Sequence, residues 1–211
     1  MCNFLSALAL KNGDLLLHPM LDSHSDLVRY FKIPDARQGH QHFAKVELTP
    51  EDWMDVSTWK FQLDEDSAPI WWEDVAARVE ADLRQRANRM ILRDGEHELI
   101  VDGCWIIGGT AKIRDVRSGR IVRVQDSASI RDVRGSASIQ GVWDSASIRD
   151  VGGSASIQGV RGSASIRDVG GSASIRDVGG SASIRDVRGS ASIQGVWDSA
   201  SIRDVGGSAS I

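Results

Sequence analysis

The chain has 211 residues, 41% of them hydrophobic and 6% aromatic, with 25 basic and 29 acidic side chains and a formal net charge of −4. That size leaves room for one repeat array and one further small domain. It excludes a disulfide scaffold, since only Cys2 and Cys104 are present, and a helical membrane protein, since no stretch approaches spanning length.

Charge divides along the chain: residues 1–100 carry eleven basic and eighteen acidic side chains, residues 101–211 fourteen and eleven. This asymmetry marks a junction near residue 100. The apolar run from Phe4 to Leu10 is short, lacks a basic flank and meets charged residues at once, so no secretory signal is expected and the setting reads as cytoplasmic.

In chain order, Phe4–Leu10 and Leu15–His18 flank an Asn12-Gly13 hairpin signal. Ser23 or Ser25 caps a short helix through Leu27, Val28 and Phe31, and residues 43–48 read as a strand. Thr49-Pro50-Glu51-Asp52 combines a cap, an early proline and acidic residues, which predicts a second short helix toward Met54. Residues 59–63 follow as a strand. Trp72, Val75, Val79, Leu83 and Met90 then recur at helical spacing, the strongest helix pattern in the chain. Strands are expected at 98–101 and 104–107.

Residues 101–126 read as irregular first rungs of a repeat array, with degenerate units at Thr110–Val116 and around Ile121 and Val124, an extra residue between them shifting the register by one. From Ser127 the unit Ser-Ala-Ser-Ile-Arg-Asp-Val-x-Gly recurs every nine residues to Ile211. One unit cannot enclose a core, so neighbours must stack and bury Ala128, Ile130, Val133, Ala137, Ile139, Val142, Ala146, Ile148 and Val151 in columns. Reading Ser127-Ala128-Ser129-Ile130 as a strand turns both serines to solvent, with a bend before Val133 and glycine at the next corner.

Arg-Asp follows Ile at 131, 149, 167, 185 and 203, whereas Gln-Gly does so at 140, 158 and 194, with Arg176-Asp177 the exception. The true period is therefore eighteen, which predicts a mainly β fold: a two-sided parallel β-solenoid of two nonapeptides per coil. A triangular coil of three hexapeptides is the alternative, but nine does not divide into sixes. Residues 1–100 form an α+β domain expected to cap the leading edge, and 127–211 the regular solenoid. Residues 131–157 and 185–211 are identical, so no single repeat residue is a unique catalytic group.

Cys2 is the candidate nucleophile, because removal of Met1 would place a free amine beside its thiol. The chain lacks the large layered sheets of that chemistry, so no catalytic residue is assigned. His18, Asp22, His24 and Asp26, with His40 and His42 nearby, carry imidazole and carboxylate donors suited to a divalent metal. The same residues read as a helix start and a loop, so no metal or cofactor is expected. Calcium-binding nonapeptide rolls need glycine and aspartate where this chain has Ala155 and Ile157.

The candidate interaction surface comprises Ser127, Ser129, the ladder Arg131, Arg149, Arg167, Arg185 and Arg203, and the corner residues Trp143 and Trp197. Serine ladders are similar to the threonine ladders of ice-binding solenoids, without the methyl group. An aspartate beside each ladder arginine cancels much of its field, which argues against nucleic acid.

The segments Cys2–Ala7, Asp22–Leu27, Val46–Pro50 and Gly103–Ile107 resemble those of uncharacterised bacterial and phage proteins in which an α+β module precedes a short-period repeat tail. The resemblance implies no activity and allows association with a virion. The expectation is a non-enzymatic scaffold, self-associating through an uncapped last rung. An ice-binding surface and a cryptic enzyme or metal site in residues 1–100 are the alternatives.

Overall fold

The computed structural model describes residues 5–33 and 42–211. The chain forms two compact units, Met1–Met90 and Ile91–Ile211. The division falls ten residues before the junction expected from charge. Residues 91–100, assigned from the sequence to the capping domain, contribute strands to the solenoid instead.

In the first unit, β1 (Leu5–Leu10) and β2 (Leu15–Leu16) form the expected hairpin, closed at Gly13, whose φ is 80°. Helix α1 (His24–Tyr30) follows, then β3 (Phe43–Thr49), β4 (Lys60–Leu63) and the long helix α2 (Trp72–Arg89). The sheet order is β2-β1-β3-β4, with antiparallel neighbours. α2 buries Trp72, Val79, Leu83 and Ala87, seven, four and four residues apart and so on one face.

The helix expected after Pro50 does not form. Asp52 and Asp55 instead accept backbone N–H bonds from Met54 and Ser57, two residues on, leading into a 3-10 turn at Val56–Thr58. Such side-chain bonds compete with helix. Arg84 of α2 fixes the turn by donating to the carbonyls of Val56 (2.6 Å) and Trp59 (2.8 Å).

The second unit is a parallel β-solenoid of about six coils. Its strands are β5 (Ile91–Leu92), β6 (Glu96–Ile100), β7 (Cys104–Ile107), β8 (Lys112–Val116) and β9 (Arg120–Val124). They continue with β10 (Ser129–Val133), β11 (Ser138–Val142), β12 (Ser147–Val151), β13 (Ser156–Val160) and β14 (Ser165–Val169). The last are β15 (Ser174–Val178), β16 (Ser183–Val187), β17 (Ser192–Val196) and β18 (Ser201–Val205).

Even-numbered strands from β6 to β18 form one seven-stranded sheet and odd-numbered strands from β5 to β17 the other. Ile130 pairs with Ile148 and Ile139 with Ile157, so a full coil is eighteen residues. At about 4.8 Å per strand, seven strands stack over about 29 Å.

Two sequence expectations are corrected. The regular strands run Ser-Ile-Arg-Asp-Val or Ser-Ile-Gln-Gly-Val, the first starting at Ser129 rather than Ser127. The Ser-Ala step lies in the corner, where the Ala137 N–H bonds to the Arg134 carbonyl across a turn led by Gly135, whose φ is 61°. That turn bond takes up residues which alternation alone assigns to the strand. In the early rungs, Ile113 pairs with Ile130, seventeen residues on, so this coil is one residue short, not long. A register shift between Trp105 and Ile106 marks the same irregularity in the other sheet.

The interior is a continuous stack of Ala, Ile and Val from Ile100 to Ile193 without a buried aromatic residue. All nine core positions predicted between Ala128 and Val151 are at most 2% exposed.

Candidate functional site

The outer surface of the even-strand sheet is set by what stands between the buried Ile and Val of each strand. Arg131 and Asp132 occupy those two positions in β10, and Asp132 pairs across the ladder with Asp115 and Asp150. Stacked aspartates would repel. They are compensated by arginines on both sides: Arg167 Nε lies 2.7 Å from Asp168 and its Nη2 lies 3.3 Å from Asp150, while Arg185 reaches Asp186 at 2.8 Å and Asp168 at 3.6 Å.

Each of these arginines therefore bridges two coils. Hydrogen bonding to Asp168 raises Arg167 above the usual guanidinium range, and Asp186 does the same for Arg185. Burial pushes the Asp168 carboxyl up, but the hydrogen bond it accepts from Arg167 and the other interactions around it outweigh this and hold it below the ordinary range.

Beside the arginine column runs a groove of about 690 Å³, lined by Ser129, Ser147, Ser165 and Ser183 and walled by arginines from Arg114 to Arg203. Ser129 is half-buried at the start of its strand, whereas Ser127 is exposed in the corner. The two serines of a unit therefore stand on different parts of the coil, one in the corner and one in the strand.

The residue after Val covaries with the residue before it. Where an aspartate precedes Val, the following position is either glycine or an arginine paired back to that aspartate, as Arg134 is to Asp132 (2.9 Å) and Arg188 to Asp186 (3.1 Å). Where glycine precedes Val, a large side chain lies over it, and a Cβ on Gly141 or Gly195 would collide with the indole of Trp143 or Trp197. Trp143 is held between Arg123 and Arg161, whose guanidinium carbons lie 4.7 Å and 5.5 Å from the ring centroid. Trp197 is 63% exposed.

Aspartate replaces glycine at three corners, Asp126, Asp144 and Asp198, each with φ of 58°. The Asp126 carboxylate accepts the Gly109 N–H at 2.7 Å and that of Asp198 accepts the Gly180 N–H at 3.0 Å. A bond to the preceding coil thus offsets an unfavourable backbone conformation.

Of the described residues proposed as metal ligands in the first unit, only His24 joins a cluster of possible ligands, and with other partners. The His18 ring packs at a tilt against Tyr30, centroids 4.6 Å apart, and its Nδ1 accepts the Met20 N–H, while Asp26 pairs with Arg29 at 3.2 Å. The Asp22 carbonyl accepts a bond from Ser6. His42 is exposed, and Cys2 and His40 lie outside the described residues.

His24 instead meets Glu47 of β3 and Asp64, the residue after β4. Among the described residues this is the one group of three or more His, Cys, Asp or Glu side chains spaced to hold a metal ion. Sequence spacing could not reveal it, because the three are brought together by the β3–β4 pairing that sets Glu47 opposite Gln62. Cys104 is buried.

No protein-family model, curated protein or solved structure matches this chain. No helix among the described residues is long and apolar enough to cross a membrane.

Proposed function

We infer that the protein is a non-enzymatic interaction scaffold whose solenoid presents regularly spaced charged columns and can extend by stacking a second copy on its last rung. The observation that carries this reading is the in-register pairing of near-identical strands from β10 to β18, so that successive regular coils offer nearly the same surface to the next. β18 is the outermost strand of its sheet, and its Ile202 is only partly covered while Val205 is 47% exposed. A further rung in the same register would bury both and pair the strand's outward backbone groups.

The arrangement favours protein contacts over polyanion binding, because most ladder arginines are already engaged by aspartates. Light scattering of the 211-residue chain across concentration tests the assembly. The mass is expected to rise with concentration, and Ile202→Lys, which sets a charge on the edge, is expected to keep the chain monomeric. A wild-type chain that stays monomeric at high concentration would remove the assembly and leave only a passive surface.

A further inference from the structure

His24, Glu47 and Asp64 come from α1, β3 and the residue following β4, yet each turns one ligand atom into the same space, and these atoms lie within 4.8 Å of one another. His24 Nδ1 is 3.1 Å from Asp64 Oδ2 and 3.8 Å from Glu47 Oε1. Three ligands on a tetrahedral dication with bonds of about 2.0–2.2 Å stand about 3.3–3.6 Å apart. The two spacings from His24 bracket that range and the two carboxylates lie within 4.8 Å of each other, so a modest inward shift of the exposed Asp64 side chain would close the three around an ion.

A second ring of contacts orients the ligands. His24 Nε2 faces the Val46 carbonyl at 3.1 Å, so that nitrogen carries the proton and Nδ1 is turned toward the two carboxylates. Gln62 Nε2 donates to Glu47 Oε2 at 3.1 Å, which leaves Oε1 directed at the histidine. Hydrogen bonds of this kind, from a ligand imidazole to a backbone carbonyl and to the second oxygen of a ligand carboxylate, are the usual support of metal centres. The side chains of His24 and Glu47 are 5% and 6% exposed and that of Asp64 is 51% exposed. Two ligands are thus fixed inside and the third sits at the solvent side, where an ion can enter.

We propose that His24 Nδ1, Glu47 Oε1 and Asp64 Oδ2 bind a first-row transition-metal dication of the Zn²⁺ type, with water completing the shell. One imidazole with two carboxylates suits such an ion better than Ca²⁺ or Mg²⁺, which take all-oxygen shells. The site lies wholly in the first unit and does not depend on the scaffold reading of the repeats.

Isothermal titration of the tag-free, chelator-treated chain with Zn²⁺ tests the proposal. One equivalent is expected to bind with a Kd of about 1 µM or tighter. Asp64→Asn keeps the side-chain shape at a solvent-facing position and is expected to weaken binding at least about tenfold. Gln62→Leu, which touches no ion, is expected to weaken it about tenfold by releasing Glu47. Co²⁺ loaded in place of Zn²⁺ should give the visible d–d bands of a four-coordinate nitrogen and oxygen site. A chain that takes up no Zn²⁺ would overturn the proposal. So would Asp64→Asn binding Zn²⁺ as tightly as the wild type while its circular dichroism is unchanged, since the three residues would then be an ion-pair cluster alone.

Discussion

Gly152 and Gly153 stand side by side at one corner of the solenoid, and the chain needs them for different reasons. Gly153 has φ of +65°, and a Cβ there would come within 2.9 Å of the Gly135 backbone nitrogen in the coil below. Gly152 has no atom within 4 Å of such a Cβ and carries no special φ. Gly153→Ala must therefore both adopt a left-handed conformation and push adjacent coils apart. A loss of about 1–2 kcal/mol or more is expected from denaturant melts. Gly152→Ala is expected to change stability by less than about 0.5 kcal/mol. Equal effects of the two substitutions would show that coil spacing is not what the second glycine protects. The aspartates at φ 58° meet the same demand by another route, since their carboxylates reach the backbone of the preceding coil.

At the scale of the nonapeptide, inside and outside obey different periods. Ala, Ile and Val recur every nine residues, so both sheets build the same interior, whereas Arg-Asp and Gln-Gly alternate and give the sheets different surfaces. This is why the eighteen-residue coil and the buried columns were legible: each follows from counting apolar positions and outer variants. Strand boundaries were not, because Ser-Ala-Ser-Ile alternates like a strand while the corner bond from Ala137 to Arg134 claims its first half. The His24 cluster was illegible for a similar reason, as it depends on which residues of β3 and β4 come opposite one another. The two periods make a prediction about deletions. Removing residues 154–171 takes out one coil and keeps every column in place, so the β-sheet circular dichroism and cooperative melt should survive. Removing residues 154–158 shifts all later Ile and Val off the columns and should abolish cooperative unfolding of the solenoid. If both deletions melt alike, the stacking register does not determine stability.

Over the whole solenoid, each coil touches only the coils on either side, so stability is a sum of neighbour interfaces and depends on position along the stack. Ile148 in β12 is 2% exposed with a paired strand on both sides, β10 and β14. Ile202 in β18 has a partner only on the β16 side and is partly covered. The same chemical change should therefore have unequal consequences. Ile148→Ala leaves a cavity flanked by two interfaces and is expected to cost about 2–5 kcal/mol in denaturant melts. Ile202→Ala opens onto solvent, and less than about 1 kcal/mol is expected from the smaller area it uncovers. Amide hydrogen exchange should follow the same gradient, with protection greatest in β10 to β14 and falling strand by strand toward β18 as the outer rungs open without the rest. Measured on dilute protein, where copies do not stack, uniform protection along the repeats would mean that the solenoid unfolds as one block and that its coils are not independent neighbours.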